Sequence, residues 1–340
     1  MKQEFITVGG IRYCYVDQQP NQQPKATLLC LHGFPDQWYG WENQIAAWSQ
    51  AGYRVIVPHM LGYGLSDKPS AAASYSTKNL SRDLAFLLDG LQLDSVIVIA
   101  HDWGAAVAWR FALWYPNRVR ALVTLSVPYF PPSETYIPIS EASKRVPTFA
   151  YQEYFSDPSS TREIETNLDI FIPALFQTPR PANGGFADGK LPVLRAGQMQ
   201  TLLKNGKESF NIPPTVIPKH ELERYILDFQ QGGMNGPLSY YRNTRSRFDD
   251  EKEAGLPTAF PSSIPVLFFY GTQDGTCPQS FVSRMPMFVP NLTIVPLEGK
   301  GHWLLLEATE QINSTVLEFL DKVRSGSGGL VGEAIASVRL

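Results

Sequence analysis

The chain has 340 residues, 44% of them hydrophobic and 18% charged, with a net charge of −3. That is enough apolar material for a sizeable core, and the slight acidity, with no basic run, leaves no electrostatic footprint for nucleic acid or an anionic membrane surface. No stretch approaches the roughly 18 uncharged apolar residues that span a bilayer, and the start, MKQEFITVGG, lacks the apolar segment of a secretory signal, so a soluble, cytoplasmic protein is expected.

Three cysteines, Cys14, Cys30 and Cys277, are too few and too scattered for a disulfide framework and have no metal-ligand spacing; no metal or other cofactor is expected. A homodimer is compatible with this composition. Phe5 to Val8 and Ile11 to Val16 flank Gly9-Gly10 and predict an opening hairpin. Ala26 to Leu31 reads as a buried strand that ends in His32-Gly33-Phe34-Pro35, and Asp36 to Ser49 carries Trp38, Trp41, Ile45 and Trp48 at helical spacing. Tyr53 to Val57 is again a strand. Leu80, Leu84, Leu87, Leu88 and Leu91 then mark one face of a helix.

The organising stretch is Ser95 to Ala106, SVIVIAHDWGAA. An apolar β-branched run ends at an acid, Asp102, and Gly104-Ala105-Ala106 opens a helix directly after it. A carboxylate at the end of a buried strand costs free energy unless it is paired or used. Small residues on either side, Ala100 and Gly104, allow a sharp strand-to-helix elbow, with Asp in the nucleophile's place and Ala100 where a first Gly is commoner. The plainer alternative is that Asp102 caps the following helix.

Another strand runs from Val119 to Val127. Strands alternating with helices predict an α/β fold with a mostly parallel central sheet and helices on both faces. Residues 129–258 break the alternation with aromatic-rich helical segments, interrupted by prolines and by Asn183-Gly184-Gly185, and read as an inserted helical cap; residues 1–128 and 259–324 form the core. The alternation resumes with strands at Ile264 to Tyr270 and Leu292 to Leu297, and a last helix presents Ile312, Val316, Phe319, Leu320 and Val323. Residues 325–340 read as a flexible tail.

Ligands of parallel sheets bind beyond the carboxyl ends of the strands. The residues there are Asp102, then Asp274 in Gly271-Thr272-Gln273-Asp274, then His302 in Gly301-His302-Trp303. An acid at the elbow, a second acid and a histidine follow the chain order of an α/β-hydrolase triad. Ser126 to Phe130, after the preceding strand, offers no acid to orient the histidine, which leaves Asp274, with Glu298 a poor second.

With these motifs in place, HGFP at 32–35, HDWG at 101–104, GTQD at 271–274, GHW at 301–303, YQEYF at 151–155 and SYYRN at 239–243, the chain resembles an epoxide hydrolase of the α/β-hydrolase family. The last two motifs, in the insertion, are the ones specific to epoxide opening. The resemblance implies a small apolar epoxide and water as partners, a detoxifying role, and a pair of cap tyrosines at Tyr151 and Tyr241. It implies that Asp102 attacks an epoxide carbon while the tyrosines donate to the ring oxygen, and that His302, oriented by Asp274, activates the water that cleaves the resulting ester. Backbone N–H groups of Phe34 and Trp103 are placed as an oxyanion hole. Pro35, joined to Phe34 by a bond that is either cis or an ordinary turn linkage, is expected to wall the substrate pocket with Asp36 and Trp38. The chain departs from the family at His59, where an acid is common, and at Leu61, where arginine is common. A haloalkane dehalogenase shares the Asp nucleophile, but Phe34 has no side-chain donor for a halide; an idle ligand-binding relative has no reason to keep a water-activating pair.

Overall fold

A computed structural model describes residues 1–179, 195–206 and 214–326. Asn183-Gly184-Gly185 and residues 327–340 of the expected tail lie outside the described residues. Strands β1 (Gln3–Val8) and β2 (Ile11–Gln18) form the opening hairpin. A two-residue hairpin turn of this kind needs positive φ at both central positions, which Gly9 (58°) and Gly10 (84°) supply.

With β3 (Thr27–Leu31), β4 (Arg54–Pro58), β5 (Val96–His101), β6 (Val119–Leu125), β7 (Val266–Gly271) and β8 (Leu292–Leu297) they make an eight-stranded sheet, in the order β1-β2-β4-β3-β5-β6-β7-β8. β2 is antiparallel to β1 and to β4, and every other neighbouring pair is parallel. β5 and β7 are buried at every position, as expected for central strands covered on both faces. The chain leaves β3 toward β4 on one side and later enters β5 on the other, so a crevice opens beyond the carboxyl ends of β3 and β5.

Right-handed crossovers running in opposite directions along a sheet put their helices on opposite faces. The first, α1 (Glu42–Gln50), joins β3 to β4; α2 (Thr77–Gly90) precedes β5, and α3 (Trp103–Trp114) joins β5 to β6. The helix expected from Asp36 is shorter than its aromatic spacing suggested: a single 3-10 turn, Trp38–Trp41, precedes α1. Ser76 caps α2 by accepting from the Asn79 N–H, and the stripe Leu80, Leu84, Leu87 and Leu88 is buried. α2 packs on α3, itself buried along most of its length.

Between β6 and β7 the described elements are helical: α4 (Ile139–Arg145), α5 (Tyr151–Ser156), α6 (Ser160–Glu165), α7 (Leu168–Leu175), α8 (Gln198–Asn205), α9 (Lys219–Gly232), α10 (Asn235–Ser239) and α11 (Thr244–Glu253), with one isolated bridge, Gln177 to Thr215. Buried polar contacts tie this insertion to the sheet side of the molecule. Arg110 of α3 grips Glu251 of α11 with N···O distances of 2.6 and 3.3 Å, the Tyr240 hydroxyl donates to the Leu61 carbonyl at 3.0 Å, and the Trp303 indole donates to the Leu175 carbonyl at 2.7 Å. Short helices α12 (Gln279–Val282) and α13 (Leu304–Glu307) precede α14 (Thr309–Arg324), which packs against α1. Among the described residues no helix is long and apolar enough to cross a membrane.

Candidate active site

The elbow between β5 and α3 puts Asp102 at φ 51°, ψ −123°, a conformation that costs a side-chain-bearing residue roughly 1–3 kcal/mol. Its neighbours are glycines because nothing larger fits. A Cβ on Gly104 would lie 2.2 Å from the Leu31 carbonyl oxygen, and one on Gly33 would lie 2.4 Å from the Asp102 Cβ. The Asp102 side chain makes no capping hydrogen bond to α3, which sets aside the capping alternative. Instead its Oδ1 accepts the backbone N–H of Phe34 at 2.6 Å. Trp103, first residue of α3, carries one of the N–H groups that no helical carbonyl can take, and the helix dipole there favours negative charge.

His302 lies between two carboxylates. Its Nδ1 is 2.9 Å from Oδ2 of Asp274, and its Nε2 is 3.6 Å from Oδ2 of Asp102. The second oxygen of Asp274 accepts both the N–H and the hydroxyl of Thr276, at 2.8 and 2.7 Å, and that hydroxyl is also 3.1 Å from the His302 Nδ1. Glu298, the weaker candidate, is turned to the Thr272 hydroxyl at 3.3 Å. Ser126, at the position where an acid was sought after β6, donates to the His302 carbonyl at 2.9 Å and so fixes its backbone.

Burial alone would lower the His302 pKa, but the charges of Asp274 and Asp102 outweigh it and push the imidazole up to about 10. Burial likewise opposes the charges of Asp102 and Asp274, and their bonds to His302 more than compensate, so both carboxyls sit below their ordinary range. All three shifts run in the direction that favours a protonated imidazole between two ionised carboxyls.

Tyr151 begins α5 and Tyr241 sits in the 3-10 turn Tyr240–Asn243. Their rings are 6.1 Å apart, and Tyr241 stands edge-on to Phe34 and Trp103 at 5.3 and 5.0 Å. Phe34, Pro35, Asp102, Tyr151, Tyr241 and His302 share the walls of one small cavity of about 60 Å³. The Phe34–Pro35 peptide bond is cis. Burial foremost raises both phenol pKa values, helped by the Asp102 charge at Tyr151 and by Tyr151 and then Asp102 at Tyr241, which keeps the hydroxyls protonated as donors.

Residues 26–309 match the family model described as the alpha/beta hydrolase fold. Epoxide hydrolase A of Mycobacterium tuberculosis is 32% identical over 329 residues, covering 94% of this chain and 97% of that protein. The chain belongs to the epoxide hydrolase family of the alpha/beta hydrolase fold. The bifunctional epoxide hydrolase 2 of Mus musculus is 30% identical over 319 residues, 93% of this chain but 55% of that protein, so the chain spans about half the length of that relative. Among solved structures, an epoxide hydrolase from an endophytic Streptomyces superposes with a TM-score of 0.80 at 28% identity, covering 95% of this chain and 96% of that one. An epoxide hydrolase of Vigna radiata gives 0.78 at 27% identity, covering 94% and 98%.

Two expected pocket residues of this epoxide hydrolase family member lie elsewhere. After the turn at Pro35 the chain dives under the insertion, so the Asp36 carboxylate is buried away from the cavity wall, accepting the Tyr225 hydroxyl of α9 at 2.6 Å and the Gln37 N–H at 2.7 Å. Trp38 also misses the wall; it packs edge-on to Tyr39, beneath the Arg224 guanidinium, 5.3 Å from its ring. Leu61 and His59, the departures from the family pattern, are buried; the Leu61 carbonyl anchors Tyr240. Thr276 was not singled out from the sequence. A threonine two residues past an acid is a common turn pairing, and only its reach to both Asp274 and His302 distinguishes it.

Proposed function

We propose that the chain hydrolyses epoxides to vicinal diols through a covalent ester on Asp102. The observation that carries this reading is that the Asp102 carboxylate, the His302 imidazole and the phenols of Tyr151 and Tyr241 share one cavity. Oδ1 of Asp102 is held by the Phe34 N–H, which leaves Oδ2 as the attacking atom. Oδ2 bonds to an epoxide carbon, the carbon–oxygen bond of the strained ring breaks, and its electron pair goes to the ring oxygen, which the two phenols bind as the charge develops.

The proton inventory then closes within the site. The opened ring's alkoxide needs one proton, and His302 holds one it must lose. Esterification deletes the Asp102 charge, one of the two that keep the imidazole protonated, so its pKa falls at the step where a neutral base is required. The neutral imidazole takes a proton from water, whose oxygen attacks the ester carbonyl carbon. Oδ1, already at the Phe34 N–H, becomes the oxyanion, with the Trp103 N–H beside it. Collapse breaks the bond from that carbon to Oδ2, the imidazolium protonates the departing oxygen, and the diol leaves with an enzyme oxygen while Asp102 keeps one from water; the second proton of that water, left on the Asp102 carboxyl, passes to the neutral imidazole and restores the starting charges.

A single turnover in ¹⁸O-labelled water tests this. The first diol should carry unlabelled oxygen at the new hydroxyl and the enzyme should gain the label; labelled diol in the first turnover overturns the covalent route.

A further inference from the structure

The small cavity at His302, about 60 Å³, has room for several water molecules, each needing roughly 10–15 Å³. A separate, larger space of about 700 Å³ shares Asp102, Tyr151 and Thr276 with it and continues past Trp103. Most polar side chains on the small cavity's wall already have partners. Asp274 is bound to His302 and Thr276, the Thr276 hydroxyl reaches both, and the Trp303 indole donates to the Leu175 carbonyl. The phenols of Tyr151 and Tyr241 are assigned above to the ring oxygen. Two amides remain on the wall, Gln177 and Gln273. Gln273 is half-buried, whereas Gln177 is only 4% exposed.

The backbone around Gln177 is firmly held. Val216 donates to the Phe176 carbonyl at 2.8 Å and Thr178 to the Pro214 carbonyl at 2.9 Å, on either side of the Gln177–Thr215 bridge. The same segment is docked on the residue that follows His302. The Phe176 ring stacks on Trp303 at 4.1 Å, and the Leu175 carbonyl takes the Trp303 indole N–H at 2.7 Å. None of these bonds uses the Gln177 amide, which has no hydrogen-bond partner among the described residues. A buried amide is costly to leave unpaired, and here the partner within reach is water in the cavity.

The second step of the proposed mechanism needs such a group. The attacking water has two hydrogens: His302 Nε2 takes one, and the other needs an acceptor while a lone pair stays free for the ester carbon. Neither acid can serve, because Asp102 is then esterified and Asp274 is bound to the far ring nitrogen, Nδ1. We infer that the side-chain carbonyl of Gln177 accepts this second hydrogen and so aims the hydrolytic water at the Asp102 ester. No proton passes to Gln177; the transferred one goes to His302. The inference rests on the covalent reading above and adds to it the group that orients its second nucleophile.

The test is Gln177→Met, which keeps the length of the side chain without a strong acceptor. Single turnovers of a neutral aryl epoxide, quenched and followed by intact-protein mass, should show ester forming at the parent rate and hydrolysing about ten- to thirtyfold more slowly, the scale of one lost hydrogen bond to the reacting water. At steady state kcat and KM should fall together, leaving kcat/KM unchanged. Gln177→Glu, of the same shape and still an acceptor, should recover most of the hydrolysis rate at high pH, where the imidazole is neutral. Should Gln177→Met fail to fold, Gln177→Asn, which draws the acceptor back by one methylene, should show the same separation of steps. Hydrolysis at the parent rate in these variants, or equal slowing of both steps, overturns the inference. Absence of any ester in the parent protein, even under rapid quench, would instead strike the proposed function.

Discussion

The backbone N–H of Phe34 donates to Oδ1 of Asp102 at 2.6 Å, on the side away from the Oδ2 that faces His302 at 3.6 Å. One carboxylate thus has two oxygens in different settings before any substrate arrives. The N–H that steadies the Asp102 carboxylate also stands where the proposed mechanism puts the oxyanion of its second step, so that step would need no rearrangement of the loop.

His302→Gln should separate the two steps. Glutamine cannot take a proton from water, so ring opening, with the two phenols holding the alkoxide until solvent protonates it, should proceed and ester hydrolysis should stop, with steady-state kcat falling at least about 10³-fold. Intact-protein mass spectrometry should show the chain heavier by one substrate. An unmodified protein under excess epoxide would show that His302 is needed before the ester forms.

Tyr151→Phe or Tyr241→Phe should slow ring opening by roughly 10²-fold each, the scale of losing one donor to a developing oxyanion. The rate of ester formation in a single turnover is the measurement. A phenol that only packs between rings, as 15 tyrosines in the chain would allow, gives no such loss.

Thr276→Val removes a hydroxyl that holds the Asp274 carboxyl down by hydrogen bonding. Ester hydrolysis should slow about tenfold, and the acid limb of its pH profile should move to higher pH, because Asp274 would then protonate sooner. Thr276→Ser should restore both. A loss of rate with an unmoved pH profile would reduce Thr276 to packing.

Asp36 offers a test by stability. Burial foremost, with the Asp102 charge adding to it, raises its pKa from 3.8 to about 7, against the pull of the Tyr225 and Gln37 bonds. The folded chain therefore holds this proton more tightly than the unfolded one. The stability it contributes is full below about 3.8 and is lost as pH rises through about 7. Asp36→Asn does not titrate, so its stability relative to the parent should rise between those limits and level off above, a swing on the order of 4 kcal/mol. Urea midpoints across pH check this; a difference that stays flat contradicts the buried, proton-holding state.

The parts of the site that follow strands were readable from the residues alone. Asp102, Asp274 and His302 each come just after an apolar run, and chain order did the rest. Tyr151 and Tyr241 were not readable that way, because a phenol in an aromatic helix has the same spacing whether it packs or donates; only the motifs around them pointed inward. Asp36 and Trp38 were misplaced because pocket membership depends on where the backbone heads after Pro35, and Asp36 is drawn instead to Tyr225, 189 residues further along. The helix expected at Asp36 started late for a related reason: one 3-10 turn intervenes before α1. Gln177 was invisible to any local reading, since Thr215 and Trp303, which hold its segment at the cavity, meet it only in the folded chain.

The unequal chambers on either side of Asp102 bear on stereochemistry. If the oxirane oxygen is pinned by Tyr151 and Tyr241 and the attacking oxygen enters from the rear, a bulky group finds the larger volume past Trp103. Handedness then decides which ring carbon meets Oδ2, and a racemic mixture should be resolved kinetically, with one enantiomer consumed while its mirror image lingers.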